Sequence, residues 1–136
     1  MSKFKRECQR IIKPGGAVFL IWNSRSESDL IDQELYKIYS AYCPNFNGFS
    51  NGLKKDDSRI KEFFDNTYKY VAFDNPLLFN RERFISRSLS SSYSLKNGDD
   101  KYDMYINALQ RLFDRYENGG IVSISNQSVA YIGIIK

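Results

Sequence analysis

A chain of 136 residues, 42% hydrophobic and 15% aromatic, is long enough to bury a core and too apolar for intrinsic disorder. Its net charge of +4 comes from 20 basic and 16 acidic residues that are interspersed, so the sequence lacks the basic stripe of a dedicated nucleic-acid binder. Without histidine, Ser-His-Asp triads, Cys-His dyads and His-ligated metals are excluded, and two cysteines, Cys8 and Cys43, make no disulfide framework, which points to a reducing cytoplasm.

The start, residues 1–10, is charged and lacks the apolar stretch of a signal peptide. No apolar run reaches the roughly 18 residues of a membrane helix. Residues 2–13 read as a helix, because Phe4, Cys8, Ile11 and Ile12 fall on one face. Pro14-Gly15-Gly16 ends it. The unbroken apolar run Ala17-Val18-Phe19-Leu20-Ile21-Trp22 then predicts a strand covered on both faces by helices. Asn23-Ser24-Arg25-Ser26-Glu27-Ser28 follows as a polar loop with helix N-cap candidates. Leu30, Ile31, Leu35, Ile38, Tyr39 and Tyr42 mark a helix that stops before Pro44.

Residues 44–57 read as loop, 58–65 as a short helix and 68–73 as a strand broken by Asn75-Pro76. A short helix over 81–89 comes next. The turn Asn97-Gly98-Asp99-Asp100 places acids before the strongest helix, where Tyr102, Tyr105, Ile106, Leu109, Leu112, Phe113 and Tyr116 form one stripe. Asn118-Gly119-Gly120 ends that helix. Strands over 121–125 and 128–135 flank Asn126-Gln127, a spacing that allows a hairpin. Without a repeat, a low-complexity tract or a linker, residues 1–136 read as a single α/β domain.

Chemistry-bearing motifs are few. Gly15-Gly16 fits no GxxxxGK[ST] or GxGxxG pattern and reads as a helix-to-strand turn. Asp56-Asp57 and Asp99-Asp100 precede helices and read as caps rather than metal ligands. Cys43 reads as a small buried apolar residue. The tyrosines at 102–116 read as core rather than as a base-stacking platform. Two clusters keep a functional reading beside the structural one. Asn23-Ser24-Arg25 lies at the carboxyl end of the first strand, where ligands collect in open α/β sheets, or is a solvated loop. Arg87-Ser88-Leu89-Ser90-Ser91-Ser92-Tyr93 groups hydroxyls and a guanidinium that serve helix capping or a substrate-facing lip.

Residues 4–23, F-x-x-x-C-x-R-I-I-K-P-G-G-A-V-F-L-I-W-N, resemble the helix, PGG turn and fifth strand of class I S-adenosylmethionine-dependent methyltransferases of the bacterial type 11-like kind. The usual pattern there is E-x-x-R-V-L-K-P-G-G before an apolar run, with Cys8 near the place of the acid. Residues 87–93 with S-S-S-Y, the helix ending in Leu112-Phe113, then Gly120-Ile121-Val122 and Tyr131-Ile132-Gly133 are similar to later segments of one branch, in the same order.

The resemblance implies the C-terminal half of a Rossmann-like methyltransferase sheet: strand five, antiparallel strands six and seven, and flanking helices. The strand at 17–22 would pair on one side with the C-terminal strand and on the other with a strand this chain does not supply. The family's glycine-rich loop and ribose-binding acid lie before the PGG turn, so no cofactor-binding residue is transferred. The implied activity is methyl transfer from S-adenosylmethionine to an unknown acceptor, with the isolated chain inactive and not binding the cofactor alone. Asn23, Arg25, Arg87 and Tyr93 are the candidate acceptor contacts.

Expected partners are a second copy of the chain or a missing N-terminal half, joined through the open strand edge. The alternative is a non-enzymatic interaction or dimerisation module built on the same half-fold. RNA binding rests on the basic isoelectric point alone. No membrane and no metal partner is expected.

Overall fold

A computed structural model describes residues 2–26, 28–49, 53 and 56–135. In chain order the elements are α1 (Ser2–Ile11), β1 (Ala17–Arg25), α2 (Leu30–Tyr42), α3 (Ser58–Phe63), β2 (Lys69–Asp74), β3 (Leu77–Asn80), α4 (Arg81–Leu89), α5 (Tyr102–Tyr116), β4 (Ile121–Ile124) and β5 (Asn126–Ile134). This is a mixed α/β chain whose β2–β5 and β3–β4 pairs are antiparallel. It divides into two compact units, Met1–Ser24 with Asn51–Asn75 and Gln127–Lys136, and Arg25–Ser50 with Pro76–Asn126. Among the described residues no helix is long and apolar enough to cross a membrane.

The first unit is built on a sheet of order β1-β5-β2. Strand β5 sits in the middle, and its antiparallel register with β2 runs from Lys69 opposite Ile132 to Asp74 opposite Gln127. Cys8, Val18, Ile60, Phe63, Phe64, Val129 and Tyr131 form the core of this unit. Tyr131 anchors it, with its ring 5.1 Å from Trp22 and 5.0 Å from Tyr70. Gly133 is required here by space: a Cβ at that position would lie 2.6 Å from Phe64 Cδ1 and 2.9 Å from the Thr67 carbonyl oxygen. The turn before β1 forms as its residues dictate, with Gly15 at φ +79° and the Gly16 N–H donating to the Lys13 carbonyl at 2.9 Å.

Strand β1 corrects two expectations. It is not covered on both faces: Val18 is buried and Leu20 and Trp22 are half-buried, while Phe19 and Ile21 are 58% and 65% exposed. An apolar run specifies what a strand can bury, but side chains alternate along it, and the covering layer must come from elsewhere. The strand also continues through Asn23-Ser24-Arg25, which the sequence assigns to a loop. It lies at the margin of its sheet, with β5 as its neighbour among the described residues.

The second unit packs α2, α4 and α5 with the two-stranded sheet β3-β4. Leu77 pairs with Ile124 and Phe79 with Val122, which buries Val122 and Ile124. Leu35, Tyr39, Phe84, Tyr105, Leu109 and Phe113 fill the core between the helices. The stripe read for α5 is the one observed, with Tyr105, Leu109, Leu112 and Phe113 buried. The acids before it do not cap it. Asp99 instead accepts the Lys96 N–H at 2.6 Å, and left-handed Lys101 stands at the N-cap without a side-chain bond. Asp57 does cap α3, accepting the Arg59 N–H at 2.9 Å.

The hairpin around Asn126-Gln127 does not form. Strand β4 pairs with β3, a short strand that Pro76 masks in the sequence, whereas β5 belongs to the other sheet. The Ser125 N–H between them donates to the Asp29 carboxylate at 2.6 Å, so the chain turns from one ladder to the next instead of folding back.

Candidate functional site

The four candidate contact residues fall in both units. Asn23 lies in the first, on the exposed face of β1. Ser128 Oγ donates to its Oδ1 at 3.2 Å and accepts from Asn75 Nδ2 at 2.9 Å, a polar ladder across the end of the sheet. Arg25, Arg87 and Tyr93 lie in the second unit.

Of these, Arg25 reaches the first turn of α2. Asp29 is its N-cap, with Oδ1 accepting the N–H groups of Ile31 at 2.9 Å and Asp32 at 3.1 Å. Oδ2 of the same residue takes the Ser125 N–H. Burial works against this carboxylate, yet the donated hydrogen bonds from Ser125, Asp32 and Ile31 together hold its pKa below the ordinary value. Asp32, three residues on, is 4% exposed. Its Oδ1 accepts from Arg25 Nη1 at 2.6 Å, and its Oδ2 is buried without a hydrogen-bond partner. Burial raises the Asp32 pKa, against the pull of the Arg25 and Arg87 charges and with the push of Asp29.

Aromatic rings surround this charge. The Arg25 guanidinium carbon lies 3.9 Å from the centre of the Phe49 ring, a cation–π contact on one side of an ion pair. Phe49 meets Phe46 at 5.4 Å and Tyr39 at 6.0 Å, both edge to face. Tyr93 completes the group, 5.2 Å from Tyr39 and 4.8 Å from Phe46. Arg87 is held over Phe79 at 5.4 Å.

The serine run around Arg87 separates into parts. Ser88 is buried in the last turn of α4 and accepts from the Tyr39 hydroxyl at 2.9 Å. Burial pushes the Tyr39 hydroxyl up to about 12, so it stays a donor at neutral pH. Ser90 Oγ donates back to the Arg87 carbonyl at 2.7 Å, as a helix end requires.

No protein-family model matches the chain, and no curated protein matches it.

What the site does must therefore be argued from its own groups. It offers a buried carboxylate with a free lone pair, two guanidinium groups and the faces and edges of several rings. Such groups are chemically suited to holding a polar or cationic molecule. Nucleophilic chemistry at Cys43 is disfavoured, because burial pushes its thiol pKa up and keeps it protonated. Among the described residues, no three Cys, Asp or Glu side chains are grouped as a metal ion would need.

Sequence reading named Arg25, Arg87 and Tyr93 but missed the acid that Arg25 pairs with. Asp29 carried a signal, as an N-cap residue directly before an apolar run. Asp32 reads as an ordinary first-turn acid, and only its burial between Arg25 and the α2 backbone sets it apart. Phe46 and Phe49 sit in a polar loop, and no periodicity points to them.

Proposed function

We propose that this chain is the acceptor-side, C-terminal half of a class I methyltransferase domain that moves a methyl group from S-adenosylmethionine to an acceptor. The observation that supports this most is strand order. The strand after Pro14-Gly15-Gly16 neighbours the C-terminal strand, and β2 runs antiparallel to that same strand. Those are the relations the resemblance implies for strands five, six and seven. Methyl transfer is an in-line displacement in which positioning supplies much of the acceleration, so the absence of histidine is no obstacle. When bound, the cofactor supplies the activated methyl group. In this proposal Arg25, Arg87 and Tyr93 of the second unit orient the acceptor.

Joined to a glycine-rich N-terminal half encoded by a neighbouring reading frame, the chain is expected to transfer tritiated methyl from S-adenosylmethionine into a small-molecule extract. Arg87→Ala in the joined protein is expected to lower that transfer by about tenfold, the loss of one charge-assisted contact. Counts no higher than those of either half alone would contradict the proposal.

A second reading, an interaction module, has its own observation. Strand β1 carries the exposed side chains of Phe19 and Ile21 along the sheet margin, with neither Lys nor Pro in its nine residues to blunt it. Both readings expect the purified chain to cover this edge by self-association. Sedimentation velocity is expected to show a concentration-dependent dimer or larger species, which Ile21→Lys shifts toward monomer. A single monomeric boundary at all concentrations would count against the exposed edge as an interface.

A further inference from the structure

Among the described residues, Asp32 Oδ2 is the buried side-chain oxygen left without a hydrogen-bond partner. A buried acceptor left without a donor is costly, more so when charged, and native proteins keep few of them. The charges around it do not remove the deficit. Asp29 is already satisfied by three backbone N–H groups. Arg25 reaches only Oδ1, and Arg87 lies over Phe79. The Arg25 side chain beside Asp32 is 35% exposed and lies against the ring of Phe49.

We propose that Asp32 and the ring of Phe49 form a binding site for the ammonium group of a small amine. The ammonium donates to Oδ2, which gives a charge-assisted hydrogen bond, and the face of Phe49 attracts its charge. Arg25 is the group that yields: its guanidinium stands between carboxylate and ring as an internal cation, and an amine competes for the same cradle. An anionic ligand fits less well, since it would face an uncompensated carboxylate oxygen. The inference rests on the proposed function only in identifying the amine as the methyl acceptor. Binding itself needs no cofactor.

The test is a titration of the ¹⁵N-labelled full chain with ethylamine hydrochloride at pH 7, against sodium chloride at equal ionic strength and against ethanol. Saturating shifts are expected at the backbone amides of Ile31 and Asp32, with neither control producing them. Asp32→Asn is expected to weaken the amine by about tenfold or more, the loss of one charge-assisted bond. Arg25→Ala is expected to bind it more tightly, which a merely structural ion pair would not do. Shifts that sodium chloride reproduces, that fail to saturate, or that survive unchanged in Asp32→Asn would overturn the proposal. Should Asp32→Asn fail to fold, the wild-type comparison and Arg25→Ala decide it. Neither outcome depends on cofactor binding, so this inference and the methyltransferase reading fail separately.

Discussion

Replacing Leu109 by alanine is expected to destabilise the second unit by about 2–5 kcal/mol, the largest effect of any single change considered for this chain. Leu109 is fully buried at the centre of the α5 stripe, in the core formed with Leu35, Phe84 and Tyr105. The lost transfer free energy of three carbons, Cγ and its two methyls, is only part of the cost. The aromatic neighbours Tyr105 and Phe113 cannot collapse into the space as a methionine would, so most of the cavity remains. Against the roughly 5–15 kcal/mol that separates folded from unfolded small proteins, this removes a large share of the stability. Urea unfolding followed by helical circular dichroism measures it. Leu109→Met, which nearly conserves volume, is expected to cost less than about 1.5 kcal/mol. Equal losses for the two variants would mean the α5 stripe is not the core described.

The second large effect belongs to Asp29. Asp29→Ala removes the cap of α2 and the acceptor for the Ser125 N–H together. A lost cap costs about 1 kcal/mol and the stranded N–H groups a comparable amount, so a loss of about 2–3 kcal/mol is expected. Asp29→Asn keeps an acceptor oxygen at the cap and is expected to recover roughly half of that.

The two variants also differ in pH dependence. The folded-state pKa of Asp29 lies below its unfolded value, so the stability its charge contributes is fully present above the ordinary carboxylate range. It is lost as pH falls through the folded value. Asp32 acts in the opposite direction. Its folded pKa is raised, so its ionisation costs stability as pH climbs from the ordinary carboxylate value through the folded one. Urea midpoints measured from pH 3 to 7 are therefore expected to lose part of their acid limb in Asp29→Asn. In Asp32→Asn they are expected to lose the decline on the high-pH side of that window. Parallel curves for wild type and both variants would contradict the described hydrogen bonding of the α2 first turn.

Local chemistry made much of this fold legible. The α5 stripe, the stop at Pro14-Gly15-Gly16 and the limits of α2 follow from periodicity and from residues with one structural meaning each. What escaped was decided at long range. The expected hairpin failed because Ser125 is tied to Asp29, 96 residues away in sequence, and β4 takes β3 as its partner. The exposed face of β1 escaped because hydrophobicity tells what a strand can bury, while the covering layer is a property of other segments. The site was half legible for the same reason. Arg25, Arg87 and Tyr93 stand out as polar groups near element ends. Asp32 acquires its character only from burial, and the rings of Phe46 and Phe49 only from a loop that folds over α2.

The proposed function puts the acceptor side of a methyltransferase on this chain and the cofactor side on another stretch of protein. Calorimetric titration with S-adenosylhomocysteine tests it most directly, first on the chain alone and then on the chain joined to a glycine-rich N-terminal half. No heat of binding is expected from the chain alone, and stoichiometric binding from the joined protein. Stoichiometric binding by the chain alone, or silence from the joined protein, would contradict it.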